Sequence, residues 1–166
     1  MEPKQSFYET QAKTIIRQLE KRRMEGFYCP TREDAVHTAM SLTAADTAVS
    51  FGGSMTLAET GILDALRQRN DIRLIDRSLA KTPEEVKQAY RDSFSTHTYF
   101  MSTNAITLDG QLVNVDGNGN RVAALIYGPD QVIVVAVMNK VAADTDDAIR
   151  RVHQIASPPN CIRLHK

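Results

Sequence analysis

The chain reads as an α/β protein, an open and mostly parallel sheet with helices on both faces and a β-hairpin in its second half. Three observations predict this. Helical and strand periodicities alternate through the first hundred residues, as parallel sheets with crossover helices require. An apolar strand runs straight into Gly52-Gly53 and a hydroxyl-rich helix start. Asp109-Gly110, between two short apolar runs, is a tight-hairpin signal.

From Ser6 to about Glu25, Phe7, Ile15, Ile16, Leu19 and Met24 recur at roughly helical spacing among charges, giving an amphipathic helix that stops at Gly26. Thr31 to Asp34 is a capping box for a second helix carrying Ala35, Val36, Ala39 and Met40, and Asp46 precedes a strand from Thr47 to Phe51. A third helix is expected from Met55 to Gln68, with Leu57, Ile62, Leu63 and Leu66 inward, followed by a strand from Ile72 to Ile75. Thr82-Pro83-Glu84-Glu85 opens another helix, with Thr82 as cap and Pro83 in the first helical position.

After Tyr99-Phe100-Met101-Ser102 the hairpin pairs Ala105 to Leu108 with Leu112 to Val115. Val122 to Tyr127 and Val132 to Val137 read as further β-rich runs. A last helix from about Asp146 to Ala156 is expected to end at Pro158-Pro159.

At 166 residues the chain fits one domain with a core that needs no staple. Twenty basic and twenty acidic residues cancel, so nothing favours a nucleic-acid backbone, and Lys21-Arg22-Arg23 reads as a solvated helix end. Cys29 and Cys161 stand in neither a CxxC nor a Cys/His spacing, so no metal or cofactor ligand set is evident, and a reducing cytoplasmic setting is the simpler expectation. The N-terminus lacks a signal pattern, and no apolar run approaches the ~20 residues needed to cross a bilayer.

Chemistry concentrates in two glycine-rich segments. Gly52 and Gly53 permit close backbone approach, while Ser54, Thr56 and the first N–H groups of the following helix offer donors to an anion. The same residues also suit a plain strand-to-helix turn capped by Ser54. The loop is neither a dinucleotide fingerprint nor a Walker A, lacking the third glycine of one and the Gly-Lys-Ser/Thr ending of the other. The second segment, Asp116-Gly117-Asn118-Gly119-Asn120-Arg121, has glycines and asparagines that tolerate positive φ and ends in a guanidinium suited to carboxylate or phosphate, or else is a hairpin turn.

For proton transfer the candidates are Glu59, one helical turn past Met55, and Asp116; each also fits an ordinary helix or turn carboxylate. Lys140 could pair with an anion or lie at the rim. His37, His97, His153 and His165 share no motif spacing, and Ser54 is not in a GxSxG elbow.

Taken in order, Ser50-Phe51-Gly52-Gly53-Ser54-Met55-Thr56 with Glu59 and Gly61, Ser102-Thr103-Asn104-Ala105-Ile106-Thr107 with Asp109-Gly110, Val115 to Ala123, and Asn139-Lys140-Val141 resemble the LUD (lactate utilization) domain, in particular the lactate-utilization protein C group. The resemblance runs from about Phe7 to Leu164. It implies a fold similar to the superfamily of ribose-5-phosphate isomerase, glucosamine-6-phosphate deaminase and the CoA-transferases, in which a Gly/Ser/Thr loop after an early strand holds a phosphate. Ligands of such sheets lie beyond the strands' carboxyl ends, where Asn104 and Asn139-Lys140 could also converge.

The family's better-described members work with iron–sulfur and oxidoreductase partner proteins to oxidise lactate to pyruvate. Relatives of this shorter branch continue into a cysteine-bearing tail after the stretch matching Pro158 to Leu164, whereas this sequence ends at Lys166. Three functions are therefore in play: a small-anion-binding subunit or accessory in lactate or organic-acid utilization, a sugar-phosphate isomerase-like or acyl-CoA-handling enzyme, and a non-catalytic regulatory or scaffold subunit. A homodimer is expected from base rates.

Overall fold

The computed structural model describes residues 2–163, so His165 and the last residue of the resemblance, Leu164, lie outside the described residues. The chain divides into two compact units. Of the described residues, one unit comprises 2–30, 103–115 and 136–163; the other comprises 31–102 and 116–135. The second unit carries the glycine-rich segments and is built on a four-stranded parallel sheet.

In this unit α2 (Arg32–Ser41) starts at the capping box: Thr31 Oγ1 accepts from the Asp34 N–H at 3.1 Å, and the Asp34 carboxylate accepts from the Thr31 N–H at 3.2 Å. Strand β1 (Thr47–Phe51) leads through the glycine pair into α3 (Met55–Glu59) and α4 (Ile62–Gln68). The single helix expected here is broken because Gly61 adopts φ +83°, a left-handed conformation that ends α3 and starts α4. Strand β2 (Ile72–Ile75), a 3₁₀ turn at Arg77–Leu79, α5 (Pro83–Ser93) and β3 (Thr98–Met101) follow. Thr82 caps α5 by accepting from the Glu85 N–H at 3.1 Å, with Pro83 in the first turn.

Residues 120–126 are a helix, α6 (Asn120–Ile126), where a β-rich run was expected from Val122 to Tyr127. Gly119 at φ +76° turns the chain into it, and Asp116 Oδ2 accepts the otherwise orphaned Val122 N–H at 2.8 Å. Only one face is covered, with Ala124 and Leu125 packed around Tyr99 and Met101 while Ile126 is exposed. Helical amphipathicity thus overrides local β propensity. Strand β6 (Gln131–Val134) completes the sheet in the order β2-β1-β3-β6. Its main core joins Val49 and Phe100 of the sheet to Leu57, Ile62 and Leu66 of the covering helices, all fully buried.

The other unit contains α1 (Pro3–Glu20), which begins at a proline in its first turn and ends before the Lys21-Arg22-Arg23 turn, shorter than the run to Glu25. The hairpin forms as expected: β4 (Ala105–Thr107) pairs antiparallel with β5 (Leu112–Val113), and β7 (Val141–Ala142) joins β4 in parallel. Arg22 Nη1 donates to the Asp109 carbonyl of the hairpin turn at 2.6 Å, so the basic run is tied down at one residue.

Helix α7 (Thr145–Arg151) passes through a π turn at Val152–Ala156 into α8 (Ser157–Arg163), and the Pro pair does not end it. The Ser157 N–H reaches back five residues to the Val152 carbonyl. Pro158 and Pro159 then occupy the first turn of α8, directly after the wider π turn. Among the described residues no helix is long and apolar enough to cross a membrane, and no group of three or more His, Cys, Asp or Glu could hold a metal ion.

Candidate functional site

The site is built where β1 and β3 end side by side. From β1 the chain goes on to β2 on one side, while from β3 it next joins this sheet at β6 on the other, so the connections leaving these two strands diverge. Such a switch point leaves a crevice at the carboxyl edge of an α/β sheet. Here the Gly52 N–H extends the pairing by donating to the Phe100 carbonyl at 2.8 Å.

Neither Gly52 nor Gly53 has a positive φ, so their lack of a side chain serves close approach. A Cβ on Gly52 would lie 2.8 Å from the Tyr99 hydroxyl oxygen and 3.5 Å from the Arg121 Cγ and Cδ. One on Gly53 would lie 2.8 Å from Arg77 Nη2. Gly52 is buried and Gly53 exposed. The first glycine is therefore packed under Tyr99 and Arg121, and the second admits a guanidinium to the open side of the loop.

Ser54 acts as the cap: its Oγ accepts from the Leu57 N–H at 3.3 Å. Thr56 is buried at 5% exposure within α3. Glu59 is exposed at the end of α3 and lines a surface depression with Arg32, Glu33, His37 and Asp64, groups drawn from α2 and α4.

The second glycine-rich segment is strapped to the same sheet edge. Arg121 Nε pairs with Asp116 Oδ1 at 2.8 Å, and Arg121 Nη1 donates to the Ser102 carbonyl at 2.5 Å, just past β3. Both partners are nearly covered, at 13% and 11% side-chain exposure. Both Asp116 oxygens are thus engaged, one by Arg121 and one by the Val122 N–H. Between them, Gly117, Asn118 and Gly119 are exposed, and Asn120 opens α6. A Cβ on Gly119 would meet nothing; its need for glycine is the φ alone.

Asn104 and Lys140 belong to the other unit. The Asn104 side chain accepts from the Val115 N–H at 3.0 Å, and its carbonyl accepts from Arg151 Nη1 at 2.6 Å. Lys140 ends the 3₁₀ turn Met138–Lys140.

Two residues that sequence reasoning passed over stand at the loop. Arg77 follows β2 at the same sheet edge; its Nη1 donates to the Tyr90 hydroxyl at 2.7 Å, and its guanidinium carbon lies 5.1 Å from the Tyr90 ring centre. No carboxylate pairs with it among the described residues, and its Nε and Nη2 make no hydrogen bond there. Its neighbour Asp76 is turned to Arg67 and to Ser78 instead. Burial works against the Asp76 charge, but the Ser78 hydroxyl and N–H and the Arg67 guanidinium outweigh it and hold the carboxyl below its ordinary range.

Tyr99 is 2% exposed, and its hydroxyl has no hydrogen-bond partner among the described residues. No fully sealed side-chain polar atom there lacks a partner, so the small accessible part of Tyr99 includes its hydroxyl tip. Burial pushes this phenol up to about 12, with Arg121 and Arg77 pulling the other way and Asp116 and Tyr90 adding to the rise. It is therefore a neutral O–H at neutral pH. A sequence signal existed for both: Arg77 lies two residues past a strand, and Tyr99 is a polar-tipped ring beside Phe100 and Met101 in a strand.

A family model described as the LUD domain matches residues 12–166. Comparisons with curated proteins and with solved structures returned no match. The matched span takes in the second half of α1, both glycine-rich segments, the hairpin and the helices after β7, so the chain belongs to the LUD domain family and is thereby related to lactate utilization.

Proposed function

We propose that the chain binds a small anionic metabolite at the Gly52-Gly53-Ser54 loop and serves as a subunit or accessory in the utilization of lactate or a related organic acid. The single observation that carries this reading is the Arg77 guanidinium, free of any carboxylate among the described residues and placed against Gly53 on the exposed side of the loop. A cation without a protein counter-ion at the carboxyl edge of a parallel sheet attracts a ligand anion. Arg121 contributes less charge than expected because Asp116 neutralises it; its role is to tie the 116–121 segment to β3.

With both of its oxygens engaged, Asp116 is better suited to shaping the site than to moving a proton. Glu59 lies toward α2 and α4, beside Arg32 and His37. These placements favour binding over acid–base catalysis by this chain, and a redox step would then fall to iron–sulfur or oxidoreductase partner proteins, in a cytoplasmic setting and with the chain itself as a homodimer.

The test is a thermal-shift series on the purified chain with inorganic phosphate, lactate, pyruvate, a sugar phosphate and CoA. A ligand at about 100 times its Kd stabilises the fold by roughly 2.7 kcal/mol. A saturable rise with one of the small anions supports the reading. No rise with any of them refutes it.

A further inference from the structure

We propose that Arg77 and Tyr99 together recognise the ligand at the glycine loop, the Nε and Nη2 edge of Arg77 taking a carboxylate or phosphate group and the Tyr99 hydroxyl donating to a further ligand oxygen. This rests on the loop being an anion site. It goes beyond that reading by naming the recognition pair and the ligand chemistry, a small oxyanion with at least one additional acceptor oxygen.

The argument begins with what is left unmatched. A guanidinium offers five N–H donors in a flat fork, and the fork suits two-oxygen anions. In Arg77 one corner is used on Tyr90, which fixes the plane of the group, and the opposite edge is free among the described residues. Gly53 is what lets that edge reach the loop, since a Cβ would lie 2.8 Å from Nη2. A tyrosine hydroxyl buried in a β-sheet normally finds an acceptor. The Tyr99 hydroxyl has none, and it sits against Gly52, the neighbouring loop residue. Its tip is open to solvent, so a ligand oxygen that enters the crevice can accept from it. Because the phenol keeps its proton, it meets the ligand as a donor and adds no negative charge to an anion site.

The experiment is isothermal titration of the full chain with pyruvate, lactate and inorganic phosphate, for wild type, Arg77→Gln, Arg77→Lys, Tyr99→Phe and Gly53→Val, with the unliganded Tm of each recorded. The pair predicts that Arg77→Gln weakens binding about tenfold or more, that Arg77→Lys falls between it and wild type, and that Tyr99→Phe weakens binding about fivefold, all at unchanged unliganded Tm. If wild type binds and Gly53→Val does not, while Arg77→Gln and Tyr99→Phe bind as wild type, the recognition pair is overturned and the loop site stands. If wild type binds none of the three anions, the loop site falls and the pair with it. A loss of affinity that comes with a lowered unliganded Tm in both Arg77 variants also counts against the pair, because it assigns Arg77 to the fold.

Discussion

Gly52→Ala is the sharpest probe of how the loop is packed. The added Cβ would sit 2.8 Å from the Tyr99 hydroxyl oxygen, about 0.6 Å inside the 3.4 Å where ordinary contact begins. Tyr99 is held among Met101, Ala124 and Leu125, so its rigid ring cannot simply swing away. Overpacking of this kind costs about 1–3 kcal/mol, against a gain of roughly 0.4–1 kcal/mol from the stiffer unfolded chain. The net expectation is a destabilisation of about 1–2 kcal/mol. In a Tyr99→Phe background the offending oxygen is gone and the Arg121 carbons, at 3.5 Å, are in ordinary contact, so the same substitution should cost less than about 0.5 kcal/mol. Urea unfolding of the four chains with a constant m-value reads out the coupling. An equal cost in both backgrounds would show that the glycine does not serve Tyr99, and the reasoning about the loop would fail.

Other substitutions follow from the same geometry. Tyr99→Phe alone should change stability by less than about 0.5 kcal/mol, since no protein hydrogen bond is lost; a loss above about 1 kcal/mol in urea unfolding would mean that the hydroxyl has a partner. Asp116→Ala removes the counter-ion of Arg121 and the acceptor of the Val122 N–H at once and should cost about 2–4 kcal/mol by the same assay, with α6 losing protection in amide exchange. Gly61→Ala should cost about 1 kcal/mol from its φ of +83°, because the nearest neighbour, Val36, is at a comfortable 3.8 Å. Asp76, held below its unfolded value of roughly 4, contributes stability that is present above that pH and is lost as pH falls through the lowered folded value. Thermal unfolding of Asp76→Asn between about pH 5 and 2 should therefore fall less steeply than wild type; parallel curves would contradict the assignment.

The sheet was legible because its signals are local. The capping box at Thr31, the N-cap at Thr82, the apolar runs of β1 and β2 and the Asp109-Gly110 turn each act within a few residues, and each forms where the pattern places it. What could not be read depends on distant partners. Helix α6 looks like a strand by composition until Asp116 is seen to accept its orphan N–H and Tyr99 to receive its buried face. The prolines at 158 and 159 stop an ordinary helix, but not one that starts a new turn after a π segment. At the site, Gly52 and Gly53 draw attention by residue type, whereas Arg77 and Tyr99 matter through the partners they lack, and a missing partner leaves no mark in a sequence.

The central claim is that a small anion binds at the exposed side of the Gly52-Gly53 loop. It is tested most directly by titrating isotopically labelled protein with pyruvate or inorganic phosphate and following its amide and arginine side-chain N–H resonances. The account predicts saturable shifts at Gly52, Gly53 and Ser54 and at the Arg77 Nε–H, with the residues lining the Glu59 depression unmoved. Saturable shifts elsewhere with the loop and Arg77 silent, or no saturable shift at all, would contradict it.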